Sequence, residues 1–378
     1  MESYGTANPG PARLSNGITV DVEPFTADGR FLFRFFRGLE RVGGDLGSGT
    51  IELGLGNIDH DQAEALFARQ NTIHLVISQD DPVRKMEVFG WIVQKTWGRE
   101  KSVMSLDFVV SPRSGPEVRR EFWATPGSDT WPGASEALTA AWPGFRVDTE
   151  PEPGIPATRV AETKHAFLCR LLYSWKPKTV FGFGLTGGFV KDIYGTDWAT
   201  GEPEPSRELA GGSVVQSGDS LVRMTYNRGL YQGIRDTTKE TGSAGFGTEL
   251  TDGVHRIYRK EVARAHRVYR ENMRLMGSGL FSTKTVRYTD NLPAWRLGDL
   301  LTYGERRESS PPVGTGGAEL TDWLVTEMYY FVAAPGSGCT DESGATFSVV
   351  TTIRGTQDIT GTRLPGGPEC DPGKNEGL

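Results

Sequence analysis

A mainly β protein with an α+β insertion is the fold class this sequence predicts, and three observations predict it. Short runs that alternate apolar and polar residues recur before residue 111 and again after residue 212, the period of half-buried strands. Glycine and proline are abundant, 49 and 22 of 378 residues, as in a chain with many turns. Between residues 113 and 210 the texture changes to two helical runs set among Trp-Pro and Pro-Glu-Pro corners. These shifts divide the chain into a β-barrel domain at 1–112, a small α/β module at 113–210, a second β domain at 211–356 and a polar tail at 357–378.

From 18 to 110 the expected order is three strands, a short helix, then three strands. Residues 18–22, 72–77, 88–97 and 102–110 alternate at period two, and Asp59 is a natural N-cap for a helix over 62–69. The segment 38–49 holds five glycines among polar residues and reads as a projecting arm rather than core. In the module, 134–141 and 163–175 read as helices, the second with Phe167, Leu168, Leu171, Leu172 and Trp175 on its apolar side. His165 and Cys169 on that helix read as structural positions. Beyond residue 212, strands are expected at 213–217, 221–227, 280–289, 300–303, 322–332 and 347–354. Trp323, Val325, Tyr329 and Phe331 would share one face of the long strand. Loops 229–253 and 333–346 are long enough that a function, or ordering on assembly, is expected of them.

The strongest helical pattern lies at 257–276. Tyr258, Val262, Ala265, Tyr269, Met273 and Met276 recur at steps of three and four and define a buried stripe. Arg256, Lys260, Arg264, Arg267 and Arg274 fall on the opposite side, which is basic in a chain of net charge -7. That side is either solvated, helped by Glu261 and Glu271, or a contact stripe for an acidic partner surface. Arg264, Arg267 and Arg274 are the candidate interface residues.

Motifs for chemistry are weak. Residues 182–187 match G-x-G-x-x-G, but residues 188–195 read as another strand and turn instead of the helix a pyrophosphate needs, so a glycine hairpin is expected. Gly218-Asp219-Ser220-Leu221 with Asp252-Gly253-Val254-His255 looks like the two blocks of the GDSL esterases, yet the blocks are too close together, and 217–220 reads as a hairpin turn. Asp59-His60-Asp61 and Gln79-Asp80-Asp81 are explained by helix capping and turns. No catalytic, cofactor or metal residues are assigned, and with five scattered histidines the expectation is a structural protein that is not an enzyme.

The three cysteines do not form a disulfide or zinc pattern, so a reducing compartment is expected. The N-terminal residues lack a signal pattern, and no run approaches the ~20 apolar residues of a membrane span. The acidic balance disfavours a protein that grips nucleic acid over its whole surface.

The strand–helix order over 18–110, with Asn57-Ile58-Asp59, the short helix, Val88-Phe89-Gly90-Trp91-Ile92 and a strand reaching Asp107, resembles the first tail-tube-like domain of baseplate hub proteins of contractile phage tails. Trp295-Arg296-Leu297-Gly298-Asp299-Leu300, Trp323-Leu324-Val325-Thr326 and the strand at 347–354 are similar to the second such domain. The hub half of VgrG is the nearest sibling. The resemblance implies two tail-tube-like β-barrel domains flanking the module, and a homotrimer whose two tube-like domains per chain match a hexameric tail tube above and a trimeric spike below. It implies a tail tube protein and a spike protein as partners, tape-measure and baseplate wedge proteins as further neighbours, and DNA passing through the channel without specific binding. The place implied is the virion tail baseplate, assembled in the host cytoplasm. The alternatives are a receptor- or carbohydrate-binding virion protein, which would use the nine tryptophans, and the GDSL-type esterase.

Overall fold

The computed structural model describes residues 12–14, 17–26, 28–113, 117–123, 130–131, 133–151, 157–158, 162–173, 175–176, 179–192, 207–208, 213–221, 280–289, 291–303 and 321–355. In the first region β1 (Ala12–Arg13), β2 (Ile18–Glu23), β3 (Phe31–Arg41) and β4 (Ser48–Leu55) precede helix α1 (His60–Arg69). Then come β5 (Thr72–Asp80), β6 (Val83–Trp97) and β7 (Val103–Val110), so the expected order of three strands, helix and three strands is observed in β2 to β7, with the two-residue β1 added in front of it. The module contains β8 (Phe122–Trp123), β9 (Thr130–Trp131), α2 (Ala134–Ala141), β10 (Arg146–Val147), β11 (Ala157–Thr158), β12 (Glu162–Thr163) and α3 (Lys164–Tyr173). It continues through β13 (Thr179–Gly184) and β14 (Gly187–Asp192). The last region supplies β15 (Arg207–Glu208), β16 (Ser213–Leu221), β17 (Leu280–Tyr288), β18 (Leu300–Tyr303), β19 (Thr321–Ala333) and β20 (Phe347–Gly355).

Both β regions enter one large curled sheet, and the fold is mainly β. This 13-stranded sheet runs β1-β2-β5-β6-β7-β4-β3-β19-β20-β17-β16, with β18 and β15 branching from β19. The junction is an antiparallel pairing of β3 with β19, from Glu327 opposite Arg41 to Ala333 opposite Phe35. One apolar core follows the sheet across the junction: Ile18, Val22, Leu53, Leu75 and Leu106 from the first region share it with Leu301, Val325, Val332, Val349 and Ile353 from the last.

Helix α1 closes this core on one side. Asp59 caps it, its carboxylate accepting from the Gln62 N–H at 2.8 Å, and the helix buries Ala63 and Phe67. The Phe67 ring stacks on Phe25 at 4.7 Å and meets Phe31 edge-on at 5.0 Å. At the other end Lys95 donates to the Phe67 and Gln70 carbonyls, satisfying acceptors that the last turn leaves open. The module has a second core, in which Leu138 and Trp142 of α2 and its C-cap meet Phe167, Leu171, Leu172 and Trp175.

Three expectations are corrected. The glycine-rich segment 38–49 is not an arm: β3 continues through Arg41, β4 starts at Ser48, and Gly38 pairs with Gly49. Glycine is needed there for close packing, since a Cβ on Gly49 would lie 2.8 Å from the Phe108 ring. Residues 217–220 form no turn, because β16 continues through them, paired from Ser217 opposite Lys284 to Ser220 opposite Phe281. Finally, a bulge between Val325 and Glu327 reverses the alternation in β19, so that Met328, Tyr330 and Val332 join Trp323 and Val325 in the core while Tyr329 turns away. Helix 257–276, loop 229–253, the second GDSL-like block and the tail at 357–378 lie outside the described residues.

The Phe108 slot gives a direct test of the corrected hairpin. Gly49→Val overpacks it and is expected to destabilise the protein by roughly 1–3 kcal/mol in urea unfolding. An arm free of the core would leave the midpoint unmoved.

Candidate assembly surface

Because α1 and the core occupy one face of the sheet, the alternate residues of the same strands form a second face with different chemistry. There Arg34 of β3 holds Glu52 of β4 at 2.7 Å, and Arg41 of β3 holds Glu327 of β19 at 2.5 Å. Between them Arg37 donates to the Thr50 hydroxyl at 3.2 Å, which in turn donates to Asp107 of β7 at 2.6 Å. Farther along, His74 of β5 lies 2.8 Å from Glu23 and 3.9 Å from Glu87, with its ring stacked on Phe89 at 4.3 Å. The guanidinium of Arg113 covers that Phe89 ring at 5.1 Å. The face is therefore lined by polar contacts between neighbouring strands, two of them the Arg34–Glu52 and Arg41–Glu327 ion pairs.

The module joins the sheet through its β13–β14 hairpin, the element that the G-x-G-x-x-G residues build. Phe183 pairs with Gly188 and Gly184 with Gly187, leaving Leu185 and Thr186 as a two-residue turn, as expected for a glycine hairpin. The loop between β3 and β4 is bonded alongside β13: Gly43 N–H donates to the Phe181 carbonyl at 2.7 Å and Gly47 N–H to that of Phe183 at 2.6 Å. His165 of α3 bonds the Gly44 carbonyl at 2.7 Å, and burial holds its pKa below the usual imidazole value while that bond opposes the shift. Cys169 is buried one turn on, so both residues serve packing at this seam.

Two buried polar contacts complete the joint. Glu40 of β3 accepts from the Leu185 N–H at 2.7 Å and from the Tyr330 hydroxyl of β19 at 2.9 Å. Lys191 of β14 pairs with Asp299 at 2.6 Å, the side chains only 7% and 14% exposed. Asp299 belongs to the unusual corner at 295–299, which is closed by its own carboxylate on the Arg296 N–H at 2.7 Å. Gly298 in that corner has φ +80 and lies where a Cβ would meet the Phe189 ring at 2.8 Å, so both conformation and space require glycine. The corner is thus a socket for the module's hairpin. Sequence reasoning singled out the corner, and the buried Glu40 it missed.

The assigned candidates fare unevenly. Arg264, Arg267 and Arg274 lie outside the described residues, so the basic stripe remains a reading of the sequence. Ser220 lies within a regular strand, not at a turn that would present a nucleophile. Among the tryptophans that a glycan-binding surface would use, Trp142, Trp175, Trp295 and Trp323 are buried. Among the described residues no helix is long and apolar enough to cross a membrane.

No family model matches the chain, and no curated protein matches it. Solved structures to which it is similar include a type VI secretion component and two tail proteins. A type VI secretion component from E. coli, described as similar to the T4 bacteriophage tail proteins gp27 and gp5, is 12% identical with TM-score 0.47, over 91% of this chain and 79% of that one. A 43 kDa tail protein of prophage MuSo2 from Shewanella oneidensis is 12% identical with TM-score 0.45, over 89% and 96%. A tail protein from Neisseria meningitidis MC58 is 9% identical with TM-score 0.45, again over 89% and 96%.

The Lys191–Asp299 pair predicts a coupled response. Lys191→Met alone is expected to cost about 3–5 kcal/mol, because it removes the cation from a largely buried carboxylate, whereas adding Asp299→Asn, which keeps an acceptor for the Arg296 N–H, recovers part of the loss. Additive effects in a double-mutant cycle by urea unfolding would show that the two do not act as a pair.

Proposed function

We propose that this chain is a structural hub of a phage tail baseplate, a homotrimer that joins the hexameric tail tube to the trimeric spike and surrounds the DNA channel. The observation that carries the reading is the continuous sheet, one face covered by α1 and the core and the other lined by cross-strand charge pairs. Such a sheet suits the wall of a ring, with packing outside and a solvated surface within. The dry centre of a subunit interface is poor in charge, which disfavours the paired face as a contact between subunits.

In this proposal the two tube-like domains at 1–112 and 211–356 flank the module at 113–210, and the tail at 357–378 reaches a neighbour. The tail tube and spike proteins bind above and below, with tape-measure and wedge proteins adjacent. DNA passes without specific binding, no cofactor takes part, and no reaction is catalysed. The place of action is the virion tail, after assembly in the host cytoplasm. The basic stripe of Arg264, Arg267 and Arg274, read from the sequence, meets acidic loops of the next subunit.

The test is the mass of the purified chain, alone and with its tube and spike partners, together with class averages. A threefold or sixfold ring is expected. A monomer in every mixture would sink the proposal. Arg264→Glu with Arg267→Glu is expected to leave the chain folded by circular dichroism while weakening the ring and increasing its salt sensitivity. An unchanged mass profile across salt would show that this stripe is only solvated.

A further inference from the structure

Glu40 stands out among the buried acids. Glu117, also buried, has Arg119 and Arg120 beside it. The two oxygens of Glu40 are held instead by neutral donors, the Leu185 N–H of the module's hairpin turn and the Tyr330 hydroxyl of β19. Glu40 itself is 3% exposed. The charged groups that face it are Arg296 and Asp299 from the corner, with Lys191 of β14 already bonded to that Asp299. Gly184 lies so close that a Cβ there would sit 2.6 Å from the Glu40 carboxylate. One carboxyl group therefore sits at the meeting point of β3, β19 and the hairpin, where burial disfavours its charge while the two donors favour it.

We propose that Glu40 is a proton-operated latch that sets how firmly the module's hairpin is seated on the sheet: protonated, it holds the turn down, and ionised, it loosens the seat. Burial pushes its pKa up to about 7 against the opposing pull of the Leu185 and Tyr330 donors, so the proton is lost within the neutral range. Tyr330 is itself raised well above the usual phenol value, first by burial and then by Glu40, and so keeps its hydroxyl proton there. Linkage sets the sign of the effect. The seated state retains a proton that an exposed Glu40 would release near its ordinary value of 4.5. The stabilisation is therefore full below that value and is lost as pH rises through about 7. The latch is independent of the tail reading, since it concerns only the joint between module and sheet.

Hydrogen exchange on the full chain at about pH 5 and about pH 8, corrected for intrinsic rates, reads the latch at the β13–β14 hairpin, with the β5–β6 hairpin as internal control. The expected result is a loss of protection on the order of tenfold to a hundredfold at β13–β14 on raising the pH, little change at β5–β6, and a flat response in Glu40→Gln. A hairpin insensitive to pH in the native chain, or an equal loss in Glu40→Gln, would overturn the proposal. Tyr330→Phe provides a second reading should the glutamine variant fail to fold. Removing a donor that holds the Glu40 pKa down should move the loosening to higher pH, and an unmoved midpoint counts against the latch.

Discussion

The structure depends on a carboxyl group that three distant segments share. Glu40 reaches Leu185, 145 positions away, and Tyr330, 290 positions away. Apolar contacts alone tolerate sliding, because one buried methyl group resembles another, whereas a buried acid with two donors has a single arrangement in which both bonds form. Glu40 therefore fixes the register of β3 against β19 and the depth of the hairpin turn at once. Removing any of the three partners leaves a buried polar group unsatisfied, a loss of about 1–3 kcal/mol that an apolar contact would not incur.

Sheet curvature rests on a second local device. Bulges fall between Phe33 and Phe35 in β3, Ile92 and Gln94 in β6, Val214 and Gln216 in β16, and Val325 and Glu327 in β19. Each adds one residue to one strand, bends it and exchanges its two faces. In β3 the exchange keeps Phe31, Phe33 and Phe36 in the core and sends Phe35 to the opposite face, where it stacks on Phe331 of β19 at 6.2 Å. The junction of the two regions is thus held on both faces, by core side chains on one and by this aromatic pair on the other.

The same bulges mark the limit of what the sequence displays. Strand alternation over 18–23 or 72–80 is a local signal that survives unchanged, as do Asp59 as a cap and the apolar side of α3, since each rests on neighbours a few residues away. The face of Tyr329 is not legible, because a bulge leaves no compositional trace in Val325-Thr326-Glu327. The segment 38–49 reads as solvated for a sound local reason, its five glycines and the charges of Glu40, Arg41 and Asp45. Yet glycine also permits backbone to lie against Phe108, and Glu40 becomes a core residue only through partners in other parts of the chain. For the candidate site, the odd corner at 295–299 is visible as a motif. Its role as a socket for Lys191 is not, since that contact spans 108 positions.

The opposite face of the sheet bears on how such a wall would treat a passing polyanion. An acidic lining would repel it, and a basic one would hold it in proportion to the phosphates neutralised. Arg34, Arg37 and Arg41 are each committed to a partner on a neighbouring strand, at Glu52, at Thr50 with Asp107 beyond it, and at Glu327. Paired at about hydrogen-bond distance, Arg34 with Glu52 and Arg41 with Glu327 act as short dipoles whose fields fall off faster than those of lone ions and are screened within roughly 10 Å at moderate salt. A surface built this way stays wetted while offering neither a strong barrier nor a strong grip. On the proposed reading it is a wall along which DNA slides, and the arginines serve the sheet they cross-link more than the molecule that passes.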